Sequence, residues 1–178
     1  MAWTAPMTAI AGSVFTAAQF NTFIRDNLAE VAPAKATTPG SWFTTVATNQ
    51  IVERTAKVGV DLSSGTTTST SFGDLDTGPG PAVTVDTSNC ALILFSASMT
   101  NTSASSSRVA FDISGATSMS ASDNRGLATF GAAGVGQVAG NAVFHSDLTA
   151  GSNTFTMKYR VAGGTGTFLS RRLHVMPF

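Results

Sequence analysis

Thr154-Phe155-Thr156-Met157-Lys158-Tyr159-Arg160-Val161 alternates apolar and polar side chains without a break. A period of two puts Phe155, Met157, Tyr159 and Val161 on one side of an extended chain and the polar residues on the other. That is the pattern of a strand with one face on a core and one in water. Gly163-Gly164-Thr165-Gly166 follows as turn chemistry, and the spacing predicts a hairpin into a last strand bearing Leu169, Arg171, Leu173 and Val175 on one face. Arg171 thus shares a face with apolar residues and is expected to pair with a carboxylate or reach an interface. Its neighbour Arg172 points the other way. The apolar end Val175-Met176-Pro177-Phe178 predicts a strand held within the sheet.

The same alternation recurs upstream. Val58, Val60 and Leu62 share a face, as do Val83 and Val85, and again Val109, Phe111 and Ile113. Ala91 to Met99 is a near-continuous apolar run and reads as a buried strand, with Cys90 beside it as a small core residue. Val138 to Leu148 reads as another strand. Ser64-Gly65, Gly78-Pro79-Gly80-Pro81, Ser114-Gly115 and Ala150-Gly151-Ser152-Asn153 supply the breaks. About eight short strands between turn signals predict an all-β fold, a β-sandwich of jelly-roll type over residues 55–178. No strand alternates with a helical segment, which excludes a parallel α/β sheet.

The first thirty residues differ. Thr16-Ala17-Ala18-Gln19 is a capping-box pattern, and Phe15 and Phe20 flank it as a hydrophobic staple. Phe20, Phe23, Ile24, Leu28 and Val31 then recur at helical spacing, Arg25, Asp26 and Glu30 fall off the stripe, and Pro33 ends the pattern. Trp3 and Pro6 read as an extended arm with an anchoring aromatic. A helix of roughly 15 residues is marginal alone in water, so its stripe needs a partner. Residues 1–31 are therefore expected to form a short helical anchor that packs on copies of itself or on a larger particle, with packing on its own domain as the alternative. Residues 32–54 have linker composition around Ala34 to Gly40, and Trp42 and Phe43 predict that part of this connector docks on a surface.

Composition limits the function. Of 178 residues, 43% are hydrophobic and only 11% charged, and the formal net charge is zero. No basic surplus exists to neutralise phosphates, so no nucleic-acid partner is expected. The first basic residue is Arg25, no continuous apolar stretch precedes it, and no run reaches membrane-spanning length; neither a secretory signal nor a membrane partner is expected. One cysteine permits no intrachain disulfide.

Motifs of catalysis are equally sparse. Gly134-Val135-Gly136-Gln137-Val138-Ala139 matches a dinucleotide fingerprint by letter but has no strand before it and no helix after it, so no cofactor is expected. His145 and His174 have no clustered ligands, and Asp74 and Asp76 read as a solvated turn rather than a calcium site, so no metal is expected. Histidines from several copies could still meet on a symmetry axis. The acidic residues fall mostly in turns and at strand ends, which does not predict the paired carboxylates of a glycan-cleaving enzyme.

Two stretches carry a resemblance. Trp3-Thr4-Ala5-Pro6, then Thr16-Ala17-Ala18-Gln19-Phe20-Asn21-Thr22 and Arg25-Asp26-Asn27-Leu28, resembles the leader of minor structural proteins of tailed phages of actinobacteria: head-fibre, decoration or minor tail proteins. Gly151 to Val161 with Gly163 to Phe168 and Arg171-Arg172-Leu173 resembles the closing hairpin of β-sandwich heads in that group. The chain departs from the leader pattern at Phe20 and Phe23, where smaller or polar residues are common. The resemblance implies a non-enzymatic virion part, made in the host cytoplasm. It is expected to form a homotrimer, to attach through Trp3, Pro6, Phe20, Phe23, Ile24 and Leu28 to major capsid or tail proteins, and to display the sandwich. The alternative is a receptor- or carbohydrate-binding module of a tail fibre or tail tip, reading a host-surface glycan through the loops at 101–107 and 118–125. A polysaccharide-degrading enzyme and a secreted bacterial sandwich domain are the more distant readings.

Overall fold

The computed structural model describes residues 4–8 and 10–178. The chain forms two compact units, residues 1–55 and 56–178. Among the described residues, no helix is long and apolar enough to cross a membrane.

In the first unit the capping box forms as expected. Thr16 Oγ1 accepts from the Gln19 N–H, and Gln19 Oε1 accepts from the Thr16 N–H. Phe15 and Phe20 close the staple, with ring centroids 6.2 Å apart. The helix that follows is not the regular α-helix the spacing predicts. It runs as α1 (Ala17–Phe20), a π-helical turn (Asn21–Arg25) and α2 (Asp26–Ala29). The Asp26 N–H reaches back to Asn21 O, so the middle turn is one residue wider than an α-turn and the stripe rotates across it.

Pro33 does not end helical structure either. It lies in the first turn of α3 (Ala32–Lys35), where a missing N–H costs nothing. Nor is the connector bare linker: β1 (Trp42–Ala47) and β2 (Gln50–Arg54) pair as an antiparallel hairpin. Asn49 makes its reversal at φ 57°, a left-handed conformation that asparagine tolerates. The Glu53 carboxylate gathers the preceding loop. It accepts from the backbone N–H groups of Thr37 and Thr38 at 3.0 and 2.8 Å and from the hydroxyls of Ser41 and Thr37. Those hydroxyl bonds, Ser41 first, hold its pKa down at about 2.

The second unit is an all-β antiparallel sandwich. Its strands are β3 (Lys57–Asp61), β4 (Gly65–Thr67), β5 (Ala82–Thr87), β6 (Ala91–Asn101), β7 (Ser107–Gly115), β8 (Leu127–Thr129), β9 (Gln137–His145), β10 (Gly151–Val161) and β11 (Gly166–Pro177). One sheet has the order β3-β11-β6-β9, with β4 also on β11; the other has the order β5-β10-β7-β8. Apart from β3 to β4 and β7 to β8, which stay within a sheet, successive strands cross from one sheet to the other in the manner of two Greek keys, which is the jelly-roll order. The core between the sheets is apolar: Phe95, Phe111, Phe155, Met157, Tyr159, Phe168 and Leu173 are all buried. Phe111 meets Phe95 of the facing sheet edge-on, with centroids 5.6 Å apart.

Several strand expectations change. The turn at 163–166 is not a hairpin, because β10 and β11 belong to different sheets. It crosses the end of the sandwich and is tied to the loop after β6: Asn101 Nδ2 donates to Gly163 O at 3.0 Å, and the Thr165 N–H donates to Thr102 Oγ1 at 2.9 Å. Ser152 and Asn153 are not turn residues but lie within β10. Leu169 faces outward, not inward with Arg171. Ser170, at φ 51°, is an extra residue that bulges β11 between the pairs Leu169↔Ser98 and Arg172↔Ser96. β6 is not buried on both faces: it alternates, and Leu94 points out. Cys90 is half-buried, just before β6, and is not part of the core.

Candidate functional site

Trp3 lies outside the described residues. Pro6, Phe20, Ile24 and Leu28 are exposed and Phe23 is half-buried. Phe20 keeps 47% and Leu28 60% of its surface in solvent, and Ile10, Val14 and Phe15 add to this apolar surface. Each of the described positions is therefore uncovered or partly so. What orders the segment is Asn27, a residue the sequence reading gave no role. Its side chain is buried, accepts from the Thr4 N–H at 2.8 Å and donates to Thr4 O at 2.9 Å and to Phe23 O at 3.1 Å. The arm is thus pinned to the helix as one strand is to another. An asparagine inside a helical pattern, where its propensity is poor, was the available signal.

In the second unit the two outward faces differ in character. Outside β5, β10 and β7 lie Thr84, Asp86, Thr154, Lys158, Arg160 and Asp112. A cleft of about 800 Å³ opens there, walled by Thr70 to Asp74 on one side and Ser118 to Asp123 on the other. Lys158 Nζ lies 2.7 Å from Asp74 and 3.5 Å from Asp112. Burial would lower the Lys158 pKa; the hydrogen bond to Asp74 and the charge of Asp112 outweigh it and hold the pKa above the ordinary lysine value. Arg160 binds Asp123, which Arg108 also contacts at 2.7 Å, and its guanidinium lies 5.3 Å from the Phe72 ring centroid. The Asp123 carboxyl is lowered in pKa, first by the hydrogen bond from Arg160. Asp74 and Asp76 diverge, Asp76 turning to the Thr66 N–H and hydroxyl at 2.6 and 2.8 Å. Chemically this is a hydroxyl-rich cleft with paired charges and one aromatic face.

Outside β3, β11, β6 and β9 the rows read Met176, Leu92, Phe144; then Val58, His174, Leu94, Ala142; then Val60, Arg172, Ser96, Gly140; then Leu169, Ser98, Val138. Of Val58, Val60 and Leu62, expected on one face, Val58 and Val60 do share one, but it is this outer face; Leu62 lies just past the end of β3, and all three are exposed. His174 lies in its middle. His145 faces the other way at the end of β9, half-buried, and burial lowers its pKa ahead of the nearby Arg125 charge. Among the described residues, no group of three or more His, Cys, Asp and Glu could hold a metal ion.

Arg171 is buried within the sandwich. Its Nη2 donates to Asp61 Oδ2 at 2.5 Å and to Ser63 Oγ at 3.1 Å, and its guanidinium lies 5.5 Å from the Tyr159 ring centroid. The expected carboxylate partner is thus Asp61, and Arg172 is exposed on the opposite face. Compared with known proteins, the chain matches no family model and no curated protein.

Proposed function

We propose that this chain is a non-enzymatic structural component of a bacteriophage particle, a capsid decoration, head-fibre or minor tail protein that assembles as a homotrimer. The N-terminal unit attaches to capsid or tail proteins, and the jelly-roll sandwich is the displayed part. One observation carries the attachment: the first unit spends a capping box, a staple and the Asn27–Thr4 clamp on a fixed shape, yet leaves Phe20, Ile24 and Leu28 uncovered. A rigid segment with an uncovered apolar stripe is built to bury it elsewhere. Several such anchors on one oligomer would add avidity at a symmetric site. The leader resemblance supports a particle as the place.

Deleting residues 1–31 should leave a sandwich that melts cooperatively but joins particles at least ~100-fold less well, since avidity is lost with the anchors. Quantifying the chain in purified particles reads this directly, and normal incorporation of the truncated chain would refute the anchor.

The cleft beside Lys158 favours a second reading, a receptor- or carbohydrate-binding module. The loop at 118–125, expected to carry binding in that reading, forms one of its walls. If that reading holds, Asp112→Ala should weaken full-length chain binding to host-surface glycan about tenfold or more, as loss of a charged hydrogen-bond partner does. Glycan-array and calorimetric titration of both forms would measure it, and no binding by the unmodified chain would dismiss it.

A further inference from the structure

The cleft outside β10 and β7 has walls that the backbone itself fixes. Gly73 exchanges both of its hydrogen bonds with Tyr159, at 3.0 and 2.9 Å, and Met119 does the same with Ile113, at 2.9 and 2.8 Å. Arg125 Nη2 also donates to Ser120 O at 2.6 Å. A walled space of about 800 Å³ has the size of a small-molecule site, and fixed walls cost a ligand little ordering. We propose that this cleft takes a short, uncharged oligosaccharide.

Three observations select that class. The first is that the cations are already committed to the protein. Arg160 Nε donates to Asp123 Oδ1 at 3.1 Å, Nη2 donates to Asp123 Oδ2, and Nη1 donates to Thr70 O at 3.3 Å. Lys158 is held between Asp74 and Asp112. The lining thus sets Lys158 and Arg160, both paired, against the carboxylates of Asp74, Asp112 and Asp123, and gives no net attraction to a ligand bearing carboxylate, sulfate or phosphate. The second is the supply of groups for hydroxyls. Asp74 meets Lys158 through Oδ1 and Asp112 through Oδ2, so each keeps another oxygen as an acceptor, and the exposed hydroxyls of Ser71, Ser114, Ser118 and Ser120 can donate or accept. A purely apolar ligand would strip water from these groups and replace none of their hydrogen bonds. The third is that Phe72 and Met119 add half-buried apolar surface, which suits the C–H faces of sugar rings. The inference rests on the second reading above and names its ligand.

Calorimetric titration of the full-length chain tests it, with mannan, glucan and galactan fragments as neutral probes, oligogalacturonate as the acidic probe and chitosan oligomers as the basic one. At least one neutral series should bind, ~100-fold or more tighter than either charged series, and its affinity should change less than about twofold from low to high salt. Gly73→Leu should weaken that binding about tenfold or more by filling the cleft. A Cβ at Gly73 meets nothing within 4 Å, so the added side chain stands in open space and the variant should keep the near-ultraviolet circular dichroism of the unmodified chain. Asp123→Asn frees Arg160 from its carboxylate and should raise the affinity for oligogalacturonate about tenfold. No binding by any series would overturn the inference together with the reading it rests on. Tighter binding of a charged series would overturn the inference and leave a carbohydrate-binding module standing. Unchanged affinity in Gly73→Leu, or an Asp123→Asn chain as indifferent to oligogalacturonate as the unmodified one, would also overturn it.

Discussion

Arg171→Ala is expected to destabilise the sandwich by about 3 kcal/mol, a large part of the ~5–15 kcal/mol that holds a domain folded. Arg171 is among the largest fully buried side chains of the described residues. Its removal takes away the cation above the Tyr159 ring, leaves Asp61 without its cation, and opens a cavity. Arg171→Met separates these effects. A methionine refills most of the space without a charge, and replacing buried ion pairs by apolar groups is often neutral, so its cost should be within about 1–2 kcal/mol. Arg172→Ala, on the exposed side of the same strand, should fall within about 0.5 kcal/mol. Urea unfolding of the three variants measures all of this.

The pH dependence gives an internal control. Hydrogen bonds from the Ser63 hydroxyl and N–H, then the charge of Arg171, hold the Asp61 pKa below its ordinary value. A carboxylate lowered in the folded state contributes its stability fully above the unfolded pKa, near 4, and loses it as pH falls through the folded pKa. The gap between the unmodified chain and Arg171→Ala should therefore narrow below about pH 4. A gap independent of pH would mean that the cavity, not the ion pair, sets the cost.

Phe111→Ala should cost about 3–5 kcal/mol. The ring is fully buried and bridges the sheets, 5.6 Å from Phe95 on β6 and 6.2 Å from Phe155 on β10. Both neighbours are themselves locked in strands, so the space cannot close around the smaller side chain. The change should lower the denaturation midpoint without altering its steepness. A loss below ~1 kcal/mol would show that the core repacks and that the aromatic contact between the sheets is dispensable.

Periodicity made most of the sandwich legible. Phe155, Met157, Tyr159 and Val161 lie inward as alternation requires, and Arg171 finds its carboxylate because an arginine on an apolar face has to. Where alternation is locally broken, the reading failed. Plain alternation puts Leu169 inward, because nothing in the letters marks Ser170 as an extra residue. The run through Leu94 reads as a buried strand because an apolar run has the same letters whether its second face meets a core or stands open. The turn at 163–166 was legible as a reversal, but turn chemistry does not say which sheet receives the next strand. The hairpin at 42–54 was hidden by linker-like Thr and Ala, with Asn49 as its one usable signal.

The candidate surfaces were less legible. The exposed stripe of Phe20, Ile24 and Leu28 follows from spacing, but the buried amide of Asn27 and the cradle around Glu53 depend on backbone groups that sequence does not display. The cleft walls at 70–74 and 118–123 come together only through the folding of the sheets.

The surplus residue at Ser170 bears on how this strand tolerates insertions and deletions. In a regular strand, dropping one residue turns everything downstream inside out. Here Ser170 and Arg171 together oppose the stretch between Ser96 and Ser98, so a chain shortened by one at that spot regains plain alternation with Arg171, Leu173 and Val175 still facing the interior. It is the point in β11 where length can drift by one without inverting the strand.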